Sequence, residues 1–174
     1  MCRSLEVRPG RVTEPSVTVG SVITDELAIR EAVRDTLARY NHAGDRGRLD
    51  ELAAQFTPDG ILEIHGGDRL EGRAAIVARL GGVVRRSDDG AAASGLPPIL
   101  RHHVSSVLIH DITADRAQSD SYFAVLTRDG LDHWGRYRDV LVPCEGRWLL
   151  ASRRVRTDGY AQDSKYAADS PDGA

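Results

Sequence analysis

The fold is decided by residues 100–157, which read LRHHVSSVLIHDITADRAQSDSYFAVLTRDGLDHWGRYRDVLVPCEGRWLLASRRVRT. Apolar and polar residues alternate over much of this stretch, a pattern typical of strands that bury one face. Short turn signals divide it, and Asp129-Gly130 is the kind of dipeptide that closes a tight hairpin. The stretch therefore predicts an antiparallel meander of four strands, over 100–111, 116–128, 131–142 and 147–157.

The residues before the meander predict helices. Thr24, followed by two acidic residues, is a helix-capping start. An apolar stripe from Ile29 to Tyr40 indicates a helix of about five turns, which ends at Gly44. Because helices and strands are segregated along the chain, the expected fold class is α+β, with helices on one face of a curved sheet and a small-ligand cavity between them. Shorter elements are expected in between: helices at 49–56 and 74–80, a turn at 57–60 and a strand at 61–65.

Length and composition limit the possible functions. The 174 residues fit one domain, and 41% apolar with 28% charged residues is ordinary globular composition. The net charge of −3 is spread along the chain, so nucleic acid is not an expected partner. No segment has the apolar run of a signal peptide or a membrane span, so a cytoplasmic protein without membrane association is expected. Neither zinc-type Cys/His spacing nor a phosphate-binding glycine loop occurs, so no metal or other cofactor is expected.

Three parts are expected along the chain: a flexible N-terminal arm at 1–23, a domain at 24–158 and a flexible C-terminal tail at 159–174. Because Cys2 falls in the arm, a structural disulfide with Cys144 is not expected. The segment 87–98, SDDGAAASGLPP, lacks apolar anchors, and we expect it to form a mobile lid over the cavity.

Four stretches resemble a known family: YNHAGDRGRLDELAAQFTPDGILEIHG (40–66), LEGRAAIVARL (70–80), RHHVSSVLIHDITADRAQSDSYF (101–123) and GRYRDVLVPCEGRWLLASRRV (135–155). The chain resembles the SnoaL-like branch of the nuclear-transport-factor-2-like superfamily. Within that branch it is similar to the subgroup of scytalone dehydratase and the bile-acid 7α-dehydratases. The resemblance implies a cone-shaped α+β barrel, in which N-terminal helices pack on a curved, mainly antiparallel sheet that encloses a pocket. It constrains the fold more than the reaction, because one fold hosts many chemistries.

The resemblance implies three catalytic residues: His102, Asp45 and Tyr40. Asp45 stands where the resembling dehydratases place an acidic pocket residue, and Tyr40 matches a pocket tyrosine of the bile-acid enzymes. His102, followed four residues later by Ser106, matches the histidine of the family pattern. Imidazole is a natural general base near neutral pH, a secluded carboxylate can orient it, and a phenol can donate to a substrate carbonyl. His103 is the alternative base, because neighbouring strand residues face opposite sides.

Four further residues are predicted to bind substrate: Tyr137, Asp120, His103 and Ser121. Ser121 stands where scytalone dehydratase has a second pocket histidine. Asp120 is similar to an aspartate of the bile-acid enzymes, although a slip of one residue would turn it outward. Tyr137 stands where scytalone dehydratase has an amide-bearing pocket residue, so the resemblance implies that it lines the pocket. It shares one strand face with His133 and Asp139. A basic run at Arg153, Arg154 and Arg156 is interpreted as a solvated or interface edge.

The predicted function is a cofactor-independent lyase, isomerase or polyketide cyclase of secondary metabolism, with a dehydratase as the first expectation. Its substrate would be an apolar, carbonyl-bearing ring compound of polyketide, steroid or terpenoid type. One alternative is an epoxide or ester hydrolase, in which Asp45 activates water beside a second carboxylate. The other is a non-catalytic module for small-molecule binding or dimerisation. A homodimer or higher homo-oligomer is expected, because Trp134 and Leu150 are predicted on the outer sheet face.

Overall fold

The computed structural model describes residues 19–82, 99–164 and 166–167. Helices and a short hairpin come first, and four long strands follow. The first group comprises α1 (Val19–Gly44), α2 (Leu49–Ala53), β1 (Phe56–Ile64), β2 (Arg69–Glu71) and a helix α3 at 73–82. The second comprises β3 (Leu100–His110), β4 (Ala117–Thr127), β5 (Gly130–Cys144) and β6 (Arg147–Tyr160). The expected α+β class is confirmed.

The strands form one curved, open sheet in the order β2-β1-β6-β5-β4-β3. All neighbouring strands are antiparallel except β1 and β6, which run parallel. The meander from β3 to β6 therefore matches the prediction to within a few residues at each strand end. Its tight turns use left-handed backbone, with φ of 112° at Gly130 and of 77° at Gly146, which glycine adopts without steric cost.

The main core lies between α1 and the sheet. The stripe predicted on α1 contributes Val33, Leu37 and Tyr40, which pack against Phe56 of β1 and Leu150 of β6. Burial of these apolar surfaces is the main favourable term in folding. It holds the C-terminal end of α1 over the sheet, where the candidate catalytic residues lie.

Several local expectations are corrected. The helix α1 begins at Val19 rather than Thr24, and the predicted turn at 57–60 is part of β1, with a register shift against β6. Gly60 permits this path because it has no Cβ. A Cβ at this position would lie only 2.9 Å from the Leu150 carbonyl oxygen, which is too close. Leu150, expected on the outer face, is fully buried. The cause is a register irregularity in the β5–β6 pairing between Val140 and Leu141, which changes the side that each residue faces.

Some expectations concern residues that the structure does not describe. The predicted lid at 87–98, most of the arm and the end of the tail lie outside the described residues. Cys144 is disulfide-bonded, contrary to the expectation for this residue, and the chain's other cysteine, Cys2, lies outside the described residues. Within the described ranges, no helix is both long and apolar enough to cross a membrane.

Candidate functional site

A cavity of about 160 Å³ opens between the end of α1 and the sheet. Its wall is mainly apolar, with a few polar groups, as is usual for sites that bind small organic ligands. The helices contribute Tyr40, Asn41, Gly44, Leu49, Leu52 and Leu80, and the rest of the wall comes from Leu100, His102, His133 and Tyr166.

The first polar group of the wall is His102, which forms a pair with Asp45 behind it. Asp45 lies in the turn directly after α1, and His102 lies near the start of β3. Oδ1 of Asp45 is 2.7 Å from Nδ1 of His102, and the His102 backbone N–H donates to both carboxylate oxygens, at 3.1 and 3.3 Å. Both side chains are largely buried, with exposures of 10% and 21%. The carboxylate therefore favours the Nδ1–H tautomer and leaves Nε2 as the nitrogen that can exchange a proton with a ligand.

A second pair of the same kind is formed by His133 and Asp132 on β5. Nδ1 of His133 is 2.8 Å from Oδ1 of Asp132, whose side chain is only 4% exposed. Val125 on β4 pairs in register with both His102 and His133. Residues directly opposite one another on neighbouring strands share a face, so both imidazoles point to the cavity side.

The two histidines differ in their electrostatic surroundings. Burial is the largest influence on the pKa of His133 and lowers it, and the proximity of His102 lowers it further, against the opposing effect of Asp132. The neutral form of His133 therefore predominates at neutral pH. The cavity is therefore lined by two imidazoles, those of His102 and His133, and burial keeps the His133 imidazole neutral.

Tyr40 is fixed by a stack of aromatic and cationic groups. The guanidinium carbon of Arg153 lies 4.1 Å from the ring centroids of both Tyr40 and Tyr137. Tyr137 in turn stacks on Phe123 at 4.6 Å. Burial raises the pKa of the Tyr40 phenol, despite the opposing charge of Arg153, and it raises the pKa of Tyr137 as well. Both phenols are therefore protonated at neutral pH and can act as hydrogen-bond donors.

Arg153 is held by Asp139 in a fully buried ion pair. Its Nε donates to Oδ1 at 2.8 Å and its Nη2 to Oδ2 at 2.7 Å, and the two side chains are 1% and 0% exposed. This bidentate geometry is the strongest form of a charge-assisted hydrogen bond between side chains. It places a rigid plane under the Tyr40 ring, so the position of the phenol is determined by β5 and β6 as well as by α1.

Asn41 adds a hydrogen-bond acceptor to the cavity wall. Its Nδ2 donates to the Leu37 carbonyl at 2.8 Å, whereas its buried Oδ1 has no hydrogen-bond partner within the described part of the chain. An unmet buried acceptor costs free energy. A hydroxyl group of a ligand could satisfy it.

The structure brings together the three residues predicted to be catalytic. Tyr40 and His102 line the cavity from α1 and β3, and Asp45, in the turn after α1, is hydrogen-bonded to His102 behind the wall. Tyr137 faces inward but lies behind Arg153, and Ser121, its partner in register, is buried with an unpaired Oγ. These two residues support the wall from the second layer and do not contact the cavity directly.

Two predicted site residues face away from the cavity. His103 is exposed on the outer face of β3, because His102 occupies the inward position beside it. Asp120 is 48% exposed and lies 3.4 Å from His110 and 3.9 Å from Arg138 on the outer face. The register of β4 gives the inward positions to its serines, so the outward alternative for Asp120 is the one observed.

Three residues of the site were not predicted from the sequence: Asp132, His133 and Arg153. Strand alternation puts His133 on the same face as Tyr137, which was predicted to line the pocket. This shared face was a signal from which His133 could have been predicted as a second inward histidine. Asp132 could not be found by alternation, because the β4–β5 register shifts at this residue: Val125 pairs with His133 and Leu126 with Leu131, which leaves Asp132 as an extra residue in β5. Arg153 was interpreted as part of a solvated basic run, although it is the inward member of that run and is fully buried.

Comparison with known proteins finds a matching family model and similar solved structures. The model of the SnoaL-like domain family matches residues 25–154. No curated protein matches the chain. Among solved structures, a protein from Catenulispora acidiphila in complex with S-DNPA is 36% identical, with a TM-score of 0.64 over 76% of this chain and 95% of that chain.

Two further structures are more distant. ActVI-ORFA from Streptomyces coelicolor is 25% identical, with a TM-score of 0.62 over 74% of this chain and 97% of that chain. A scytalone dehydratase-like protein from Novosphingobium aromaticivorans is 22% identical, with a TM-score of 0.66 over 80% of this chain and 90% of that chain. At 22% identity, the likeness to this second structure supports the fold alone.

Proposed function

Because the chain belongs to the SnoaL-like domain family, we propose that it is a cofactor-independent lyase that removes water from an apolar, carbonyl-bearing ring compound. The observation that carries the proposal is the convergence of two histidine–aspartate pairs and a buried phenol on one small, mainly apolar cavity. The relative solved in complex with S-DNPA, at 36% identity, supports a small molecule as the ligand.

His102 acts as the general base in this proposal. Its Nε2 takes the proton from the carbon next to the substrate carbonyl, and the electron pair of that C–H bond moves to the carbonyl oxygen as an enolate. Asp45 keeps the ring in the correct tautomer and stabilises the imidazolium that forms. When the enolate collapses, the C–O bond to the leaving hydroxyl breaks, and the imidazolium returns its proton to that hydroxyl, which leaves as water.

Tyr40 stabilises the enolate. Its phenol, kept protonated by burial, donates a hydrogen bond to the oxygen on which charge develops. A donor of this kind in a dry site typically contributes about 3 kcal/mol to the transition state. The stack on Arg153 holds the ring in place before the substrate arrives, so little reorganisation is needed.

His133 and Asn41 offer hydrogen-bond acceptors to hydroxyl groups of the substrate. Neutral His133 donates its Nδ1–H to Asp132, so Nε2 can accept a hydrogen bond from a ligand hydroxyl. Oδ1 of Asn41 is a second acceptor on the same wall. The leucines of α2 and α3 supply the apolar contacts that a ring compound needs.

The state of the carboxylates favours a lyase over a hydrolase. Asp45 and Asp132 each bind a histidine, and Asp139 is engaged by Arg153. Within the described residues, the cavity wall itself contains no carboxylate. Activation of water by a pair of carboxylates is therefore poorly supported.

The test combines a reaction assay with a binding assay. The protein is incubated with a panel of fused-ring β-hydroxy ketones, and loss of water is followed by mass spectrometry and by the absorbance of the new conjugated carbonyl. S-DNPA binding is measured by calorimetry. Dehydration of at least one panel compound supports the proposal. Binding of S-DNPA without any dehydration would instead support the non-catalytic binding module.

A further inference from the structure

The chain after β6 does not leave the domain but folds back on β5. The Ala161 backbone N–H donates to the Asp132 carbonyl at 2.7 Å, and the Ser164 N–H donates to the Ala161 carbonyl at 3.0 Å. The Tyr166 N–H then donates to Oγ of Ser164 at 3.2 Å. Residues expected to belong to a flexible tail are thus held by a sequence of hydrogen bonds that begins at the site.

Ser164 binds the same carboxylate oxygen as His133. Its Oγ donates to Oδ1 of Asp132 at 2.7 Å, and Nδ1 of His133 lies 2.8 Å from that oxygen. Asp132 is therefore fixed from two sides, by β5 and by the chain after β6. The orientation of the imidazole depends on this carboxylate, so Ser164 acts on the imidazole through it.

Tyr166 covers the imidazole and forms part of the cavity wall. The His133 ring lies 5.5 Å from the Tyr166 ring and 5.8 Å from the Tyr160 ring, with Phe123 at 6.0 Å on another side. Tyr166 also lines the cavity, together with His102 and His133. Tyr166 therefore covers one side of the imidazole and also offers an aromatic surface to a ligand.

We propose that Ser164 and Tyr166 are positioning and specificity-determining residues of the cavity: Ser164 holds the Asp132–His133 pair in place, and Tyr166 is the wall against which a ring compound packs. The choice of ligand rests on the proposed function, whereas the effect on His133 does not. Selectivity for a ligand is then determined in part by residues beyond the last strand.

The first experiment requires no ligand and uses the full chain. The pKa of His133 is measured by NMR in the wild type, Tyr166→Ala, Tyr166→Phe, Ser164→Ala and Ser164→Thr. The charges that act on His133 are those of Asp132 and His102, and its ring neighbours are Phe123 and the titratable Tyr160 and Tyr166. Loss of the Tyr166 ring exposes the imidazole, and loss of the Ser164 donor strengthens the carboxylate as an acceptor. Both alanine variants should therefore raise the pKa of His133.

The conservative variants are the matched controls. Tyr166→Phe keeps the ring and Ser164→Thr keeps the hydroxyl, so both should retain the wild-type pKa of His133. The outer-face variant Tyr122→Ala removes a tyrosine that is 58% exposed, and it should have no effect. An unchanged pKa of His133 in both alanine variants overturns the positioning role.

The second experiment measures S-DNPA binding by calorimetry. Loss of one aromatic contact corresponds to about tenfold weaker binding, so Tyr166→Ala should bind about tenfold more weakly, whereas Tyr122→Ala should bind as the wild type does. Equal affinity of Tyr166→Ala and the wild type overturns the specificity role. If the wild type itself does not bind S-DNPA, the ligand class under the proposed function fails, and the NMR result still decides the positioning role.

Discussion

The two faces of the sheet carry the same residue types with different consequences. On the cavity face, His102 and Asp45 are 2.7 Å apart and mostly buried. On the outer face, His110 and Asp120 are 3.4 Å apart, and their side chains are 34% and 48% exposed. Water and salt screen the outer pair, whereas the inner pair interacts at a lower effective dielectric. A histidine beside an aspartate is therefore a site only where the fold removes it from water.

Arginine–aspartate pairs show the same contrast. Arg153 and Asp139 form two short hydrogen bonds in the interior. Arg138 and Asp120 approach to only 3.9 Å on the surface, with exposures of 65% and 48%. Exposed ion pairs contribute little to stability, while removal of one partner from a buried pair leaves an uncompensated charge.

The largest expected effect is on stability and tests this contrast directly. Asp139→Ala should lower the free energy of unfolding by about 3–5 kcal/mol, because it leaves the Arg153 guanidinium buried without its counter-charge. Asp120→Ala, the surface control, should change it by less than about 1 kcal/mol. Urea unfolding of both variants measures the difference. Equal losses would mean that burial does not separate the two pairs.

The next effect is on turnover and compares two adjacent histidines on one strand. His102→Ala should lower turnover at least about a hundredfold, the lower range for loss of a general base. His103→Ala should remain near the wild type, because its side chain faces solvent. Steady-state kinetics on a substrate identified in the panel assay decides the matter. An inactive His103→Ala together with an active His102→Ala would show that the base is assigned to the wrong face.

Assembly is the third test and concerns the outer face. Trp134 is 39% exposed there, and its indole lies against Gly159, where a Cβ would come within 2.5 Å of the ring. We propose that this surface pairs with a second copy in a homodimer or higher homo-oligomer. Light scattering should then give a mass of at least twice 19.0 kDa. Trp134→Asp should reduce it to the monomer mass, because a buried unpaired carboxylate is costly.

The control for assembly is Leu27→Asp on α1, where the leucine is 61% exposed and distant in the fold from the outer sheet face. It should leave the mass unchanged. A wild-type mass near 19.0 kDa argues against any oligomer. An unchanged mass for Trp134→Asp would place the interface on another surface.

The smallest expected effect is on the pH dependence of stability. Burial lowers the pKa of His133 in the folded chain, so the unfolded chain binds this proton more readily. The stability from neutral His133 is present above the ordinary pKa of about 6.5 and is lost as the pH falls through that value. Unfolding measured from about pH 8 to pH 5 should show a smaller acid-induced loss for His133→Gln than for the wild type.

The matched control in this series is His103→Gln on the exposed outer face. Its stability should follow the wild-type curve, because its side chain is in water in both states. If His133→Gln also runs parallel to the wild type, the buried imidazole does not contribute to the pH dependence.

Much of the fold could be predicted from local patterns. Alternation and turn dipeptides predicted β3 to β6, and the apolar stripe predicted the buried face of α1, because these signals act over neighbouring residues. The errors occur where register changes. Leu150 was assigned to the wrong face because a bulge interrupts the alternation, and Phe56 was assigned to a helix although it begins β1.

For the site, the sequence by itself determined the residue types. It also determined the alternation along β3, which turns His102 inward and His103 outward when the strand begins as predicted. It also determined the order of helices and strands, because periodicity is a local property of the chain. Only the tertiary structure decided that Asp45 meets His102 across 57 positions of sequence, that Arg153 lies between two tyrosines, and that Tyr166 returns to the cavity. These contacts depend on strand register, on helix placement and on the path of the chain after β6. Each of them is determined by the packing of the whole domain rather than by any segment of it.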